Sequence, residues 1–248
     1  MVMLTGRRDG TTHKAVDLLE SLPVELRLIG GLAVMCRVGT PHRATVDLDA
    51  VARDLTLVHE AIARIAVTAP GGGQYTFADD FDLDVIDVAP SSTRDLIDLL
   101  LGHDEPLGDL DLNMIAHTWA HDTAAPLDVV AVEDGTGEVL ARADGRLVAS
   151  SVGLVAMKAT TVPLRSSSRP EKRASDLYDL GRLLVVGHLG DDDFAVMPEE
   201  LRAAVVEHLR RWFVDPGGRD RTFREVRRFD EPRLDLDEVA DAVESLTP

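Results

Sequence analysis

One cysteine, Cys36, stands in the 248-residue chain, so no disulfide can close within it. That scarcity suits a reducing, cytoplasmic setting. No apolar run approaches the ~18 residues a membrane helix needs, and no membrane association is expected. The opening MVMLTGRRDGTTHK has no apolar segment of the signal-peptide kind, so no secretory signal is expected. Positive charge is also short. Twenty-six Lys and Arg face 44 Asp and Glu, for a net charge of −18. Such a balance argues against broad electrostatic binding to nucleic acid. Internal repeats and low-complexity tracts are missing. Gly71–Gly73 lack the Lys-Ser/Thr that would make a phosphate loop, and HTWAH at 117–121 lacks the Glu of a zinc-protease helix. His117 and His121 are therefore expected to be structural.

What remains is an ordinary globular composition, 45% hydrophobic and 28% charged, long enough for one large domain or two small ones. The charge is unevenly spread. Residues 79–111 carry eleven acids and one Arg, whereas 209–229 carry seven Arg and three acids. The second stretch reads foremost as a solvated helix face. Within it, Trp212 and Phe213 read as the apolar side of a helix rather than as a platform for a base. Periodicity predicts a helix over 11–21, strands over 24–29, 44–51 and 83–88, and a helix over 55–67. A loop or hairpin tip is expected at APGGGQY, an acidic loop region after 88, and a helix around 110–121. PLDVVAVEDGTGEVLAR reads as a hairpin turning at EDGTG. Beyond residue 150 the pattern is helical, over 150–162, 174–187, 198–213 and 235–246. The expected fold is α/β (α+β): a mixed sheet with flanking helices over 1–149, then a helical domain over 150–248 that completes a nucleotide site.

The chemistry concentrates in LIGGLAVMCRVGTPHRATVDLD, residues 28–49. Side chains two apart on a strand share a face, so Asp47 and Asp49 point the same way while Leu48 enters the core. Paired carboxylates repel unless a cation lies between them. Mg²⁺ typically takes one or two carboxylates plus substrate phosphates, and two such ions can organise in-line attack on phosphorus. A third carboxylate is expected from LDVIDV. Asp84 is favoured over Asp87, because its face carries Ile86 and Val88 and the strand begins there; Asp128 stands in reserve. Gly30 and Gly31 end a strand and open a helix, where bare backbone and free N–H groups suit a phosphate. A tight turn alone explains a Gly-Gly pair, and a strand end alone explains an Asp-x-Asp. Their succession on strand, turn, helix and strand is far more specific.

Gly-Gly, a short helix, then Arg43, Thr45, Asp47 and Asp49 in R-x-T-x-D-x-D resembles the nucleotidyltransferase superfamily. More narrowly it resembles the AbiEii/AbiGii-type nucleotidyltransferases, many of them toxins of bacterial toxin–antitoxin systems. Fifteen residues separate Gly31 from Asp47, slightly more than is usual, with the extra length in the GTPH loop. A second stretch is similar to the family's helix with Lys, then Arg, then (K/R)-D-x-x-D: Lys158, Arg165, Lys172, Arg173, Asp176 and Asp179. Here two residues separate the basic pair from Asp176. The resemblance covers roughly residues 24–190.

By that resemblance the protein binds Mg²⁺ or Mn²⁺ and an NTP and transfers a nucleoside monophosphate to an acceptor. Asp47, Asp49 and Asp84 would hold metal. Gly30, Gly31, Arg43 and Thr45 would contact the nucleotide. Lys158 would neutralise the triphosphate, with Asp176 and Asp179 orienting that lysine or activating the acceptor. The 3′ end of tRNA is the implied acceptor and an antitoxin the implied partner; a small-molecule or protein acceptor stays open. The other class of reading is a catalytically silent relative that acts by binding another protein.

Overall fold

A computed structural model describes residues 1–41, 47–78, 81–102, 106–165, 170–229 and 232–247. The chain divides into two compact units, 1–90 with 123–150, and 91–122 with 151–248. Residues 91–122, read from the sequence as part of the N-terminal segment, thus pack within the helical unit.

The first unit is built on one eight-stranded mixed sheet. Its strands are β1 (Val2–Gly6), β2 (Arg27–Ile29), β3 (Asp47–Ala52), β4 (Thr68–Gly71), β5 (Gln74–Thr76), β6 (Asp82–Asp87), β7 (Ala125–Glu133) and β8 (Val139–Val148). They lie in the order β1-β7-β8-β2-β3-β6-β5-β4. β2 runs antiparallel to β3, and β3 runs parallel to β6. Alternation explains how these two strands sit. Leu48, Ala50, Leu83 and Val85 are buried, whereas Asp47, Asp49 and Asp84 are half-buried and Asp82 is exposed. Helices α1 (Thr11–Ser21), α2 (Gly30–Val38) and α3 (Leu55–Ala63) pack on the sheet. Arg37 fastens α2 to the end of β8, its guanidinium donating to the carbonyls of Ala149 at 2.7 Å and Val148 at 2.6 Å.

Helices α4 to α11 form the second unit: Thr93–Leu101, Asp109–Asp122, Ser151–Thr161, Pro170–Val186, Asp191–Phe194, Glu199–Phe213, Pro216–Val226 and Leu236–Glu244. α6 (151–161) is buried almost all round, against α5, α7 and α9, as befits a helix apolar on every face. The core gathers Leu154, Val155, Leu177, Tyr178, Leu183, Val205, Phe213 and Val239. No helix among the described residues is long and apolar enough to cross a membrane.

Candidate active site

Pairing of β2 with β3 sets Ile29 opposite Asp49, so the carboxylate arrives where β2 ends and α2 begins. Gly30, the first residue of α2, has φ +70°. A Cβ there would lie 2.0 Å from Asp49 Oδ2 and 2.7 Å from its Cβ. Asp49 therefore occupies the space a side chain would fill, and only glycine meets both demands. Its negative charge sits at the positive end of the α2 dipole.

The parallel register of β3 and β6 sets Asp47 beside Asp82 and Asp49 beside Asp84. In-register neighbours project to the same face, so four carboxylates line one patch of sheet. Asp87 has the opposite parity and is exposed. Asp128 lies on β7, which β8 and β2 separate from β3, and it accepts from the Gly145 N–H at 2.8 Å. Register thus favours Asp84 among the three candidates for the third carboxylate. Asp82 is the member that sequence reasoning passed over. DLD occurs four times, at 47–49, 82–84, 109–111 and 235–237, so the tripeptide alone could not single it out; the first two copies lie side by side on β3 and β6. Thr76 Oγ1 donates to Asp82 at 2.9 Å. Arg43 and Thr45 lie outside the described residues.

No three His, Cys, Asp or Glu side chains among the described residues converge closely enough to hold a metal by themselves. The donor set nevertheless suits Mg²⁺, which completes its shell with phosphate oxygens and water rather than a full protein cage.

The second cluster belongs to the helical unit. Lys158 on α6 is only 5% exposed. Its ammonium donates to Asp176 at 2.8 Å and lies 2.9 Å from Asp179, both on α7. Arg165 Nε donates to the other Asp176 oxygen at 2.9 Å. The i, i+3 spacing places both carboxylates on one face. The sequence suggests a helix starting near 174, with these aspartates favoured by its N-terminus. α7 instead begins at Pro170, which leaves both mid-helix. Their burial is supported by the lysine and arginine rather than by the dipole. Of the basic pair before them, Arg173 is buried and bidentate with Glu225 of α10, at 2.8 and 2.6 Å.

His117 on α5 donates through Nδ1 to the Asn113 carbonyl at 2.7 Å, and burial holds its pKa below the ordinary histidine value. His121 faces Asp122. Trp212 and Phe213 are core residues, and Arg221 lies 5.8 Å from the Trp212 ring centroid.

The sequence model of one family, described as nucleotidyl transferase AbiEii toxin, type IV TA system, matches residues 18–247. A comparison with curated proteins gives no match.

Proposed function

The chain belongs to the AbiEii nucleotidyl transferase toxin family of type IV toxin–antitoxin systems, and from that premise we propose that it is a metal-dependent transferase of nucleoside monophosphates. The observation that carries this reading is the doubled DLD on β3 and β6, with Asp49 seated over Gly30 where α2 opens. Asp47 and Asp49 hold Mg²⁺ or Mn²⁺, with Asp84 as the third carboxylate. The bound ion would supply charge neutralisation and Lewis acidity at the phosphates.

The remaining roles fall to the chain itself. Backbone N–H groups at Gly30 and Gly31 take phosphate oxygens at the start of α2. Asp84 accepts the proton of the acceptor hydroxyl. The acceptor oxygen bonds to the α-phosphorus while the bond to the bridging oxygen breaks, and pyrophosphate leaves. Lys158, whose ammonium is held by Asp176 and Asp179, is by resemblance the proposed cation for phosphate contact. Arg43 and Thr45 are assigned to nucleotide contact by resemblance. The 3′ end of tRNA is the proposed acceptor, the family implies an antitoxin partner, and the cytoplasm is the proposed setting.

Titration calorimetry with Mg²⁺ and a non-hydrolysable NTP tests the binding half of this reading. Metal-dependent nucleotide binding is expected, and Asp49→Asn should abolish it. Wild-type protein that binds no nucleotide with metal present would favour the catalytically silent, protein-binding alternative.

A further inference from the structure

Helix α10 and the segment after it carry an arrangement that the transfer reaction leaves unused. A cavity of about 230 Å³ is lined by Phe223, Val226, Arg227, Phe229, Arg233 and Leu234. Both arginines are exposed. Among the described residues neither guanidinium has a hydrogen bond or ion pair. Two more exposed arginines, Arg224 on α10 and Arg228 just beyond it, donate only to α10 carbonyls, those of Asp220 and Glu225, each at 3.2 Å. Among the described residues these four guanidinium groups have no carboxylate partner, in a chain whose net charge is −18.

The floor of the cavity is firmly built. Phe229 stacks on Tyr178 with ring centroids 4.6 Å apart, and the Tyr178 hydroxyl donates to the Pro232 carbonyl at 2.5 Å. Leu234 packs so closely on Gly181 that a Cβ there would lie 2.5 Å from it. Phe223, by contrast, is 50% exposed at the rim. It precedes Arg227 by four residues and so shares its helix face. An adjoining cavity of about 590 Å³ shares Phe223, Arg233 and Leu234. Of its acids, Asp237 is paired with Arg219 and Asp235 caps α11, which leaves Asp220.

An exposed aromatic face beside unpaired guanidinium groups matches a polymer that alternates flat bases with phosphodiesters. We propose that this groove docks a single-stranded polynucleotide, with a base on Phe223 and phosphates on Arg227 and Arg233. The acidity of the rest of the surface confines such a strand to this place. The inference does not rest on the transferase reading, because it needs neither metal nor NTP.

Fluorescence anisotropy of labelled oligo(U) and oligo(dT), in EDTA and without NTP, tests it. Wild-type protein should bind at about 50 mM salt and release the strand as salt rises. Arg227→Ala with Arg233→Ala should weaken binding at least tenfold. It should also flatten the dependence of log K on log salt by about 1.4, two phosphates at ~0.7 each. Phe223→Ala should weaken binding about 5- to 150-fold, the range for one stacked base. Unchanged thermal unfolding would show that each variant folds, as expected for exposed side chains. Tighter binding of oligo(U) identifies RNA as the ligand, and equal binding identifies any single strand. Absence of binding at low salt, variants that bind like wild type, or displacement of the strand by an equal concentration of poly-glutamate would overturn the proposal. These outcomes are independent of nucleotide binding at Asp49.

Discussion

At Gly30 a single methyl group would disturb both the backbone and a carboxylate. Its φ of +70° costs an L residue about 1–3 kcal/mol. The added Cβ also meets Asp49 Oδ2 at 2.0 Å, so the carboxylate must move. Gly30→Ala should therefore lower stability by about that amount and abolish metal-dependent nucleotide binding. Urea unfolding and calorimetry on the same variant separate the two losses. Unfolding alone, with nucleotide binding intact, would show that the position of Asp49 is unimportant. Lys158 makes a different demand. Asp179 is fully buried and 2.9 Å from its ammonium. Lys158→Met leaves buried carboxylate charge uncompensated, and a loss of about 3–5 kcal/mol is expected in urea unfolding. Arg219→Ala, which breaks a bridge to the exposed Asp237, should change stability little.

Elements were legible in the sequence where periodicity was strong and local. α1, α5, α6, α9, α11 and the β7–β8 hairpin fall where apolar spacing and turn residues place them. The misses have physical causes. β1 is an edge strand of five residues whose pairing with β7 depends on chain more than a hundred residues away. β2 shrinks to Arg27–Ile29, since only its end pairs with β3 and β8. α4 was hidden by the acidic tract around it. Its start is nonetheless marked by Ser92, whose Oγ accepts from the Asp95 N–H at 3.2 Å. Ser92→Ala should cost about 1 kcal/mol, measurable as a lowered urea midpoint. α10, which opens with Pro-Gly-Gly, received no bounds from the sequence; Arg173 and Glu225 anchor it to α7. In the candidate site, Asp47, Asp49 and the Gly-Gly turn were legible because they are close in sequence. Asp84 was read from its strand face as the third carboxylate, but its register directly beside Asp49 was not legible, because register between distant strands is a tertiary fact.

For the molecule as a whole, pH adds a constraint on stability. His117 and His208 are both held below the ordinary histidine pKa by burial. The unfolded chain then binds protons at these sites that the folded chain refuses. Stability should fall as pH drops below about 6.5, the unfolded value, above the range where carboxylates titrate. Thermal unfolding between pH 7.5 and 5 checks this, and His117→Asn with His208→Asn should flatten the slope. A pH-independent midpoint across that window would contradict it. The central claim is that the carboxylates of β3 and β6 serve nucleotidyl transfer. Its most direct test incubates purified protein with Mg²⁺, each α-³²P-labelled NTP and total RNA, beside Asp49→Ala. The account predicts label on an RNA band with wild type and none with the variant. Label that persists undiminished in Asp49→Ala, or no label and no pyrophosphate release with any nucleotide, would contradict it.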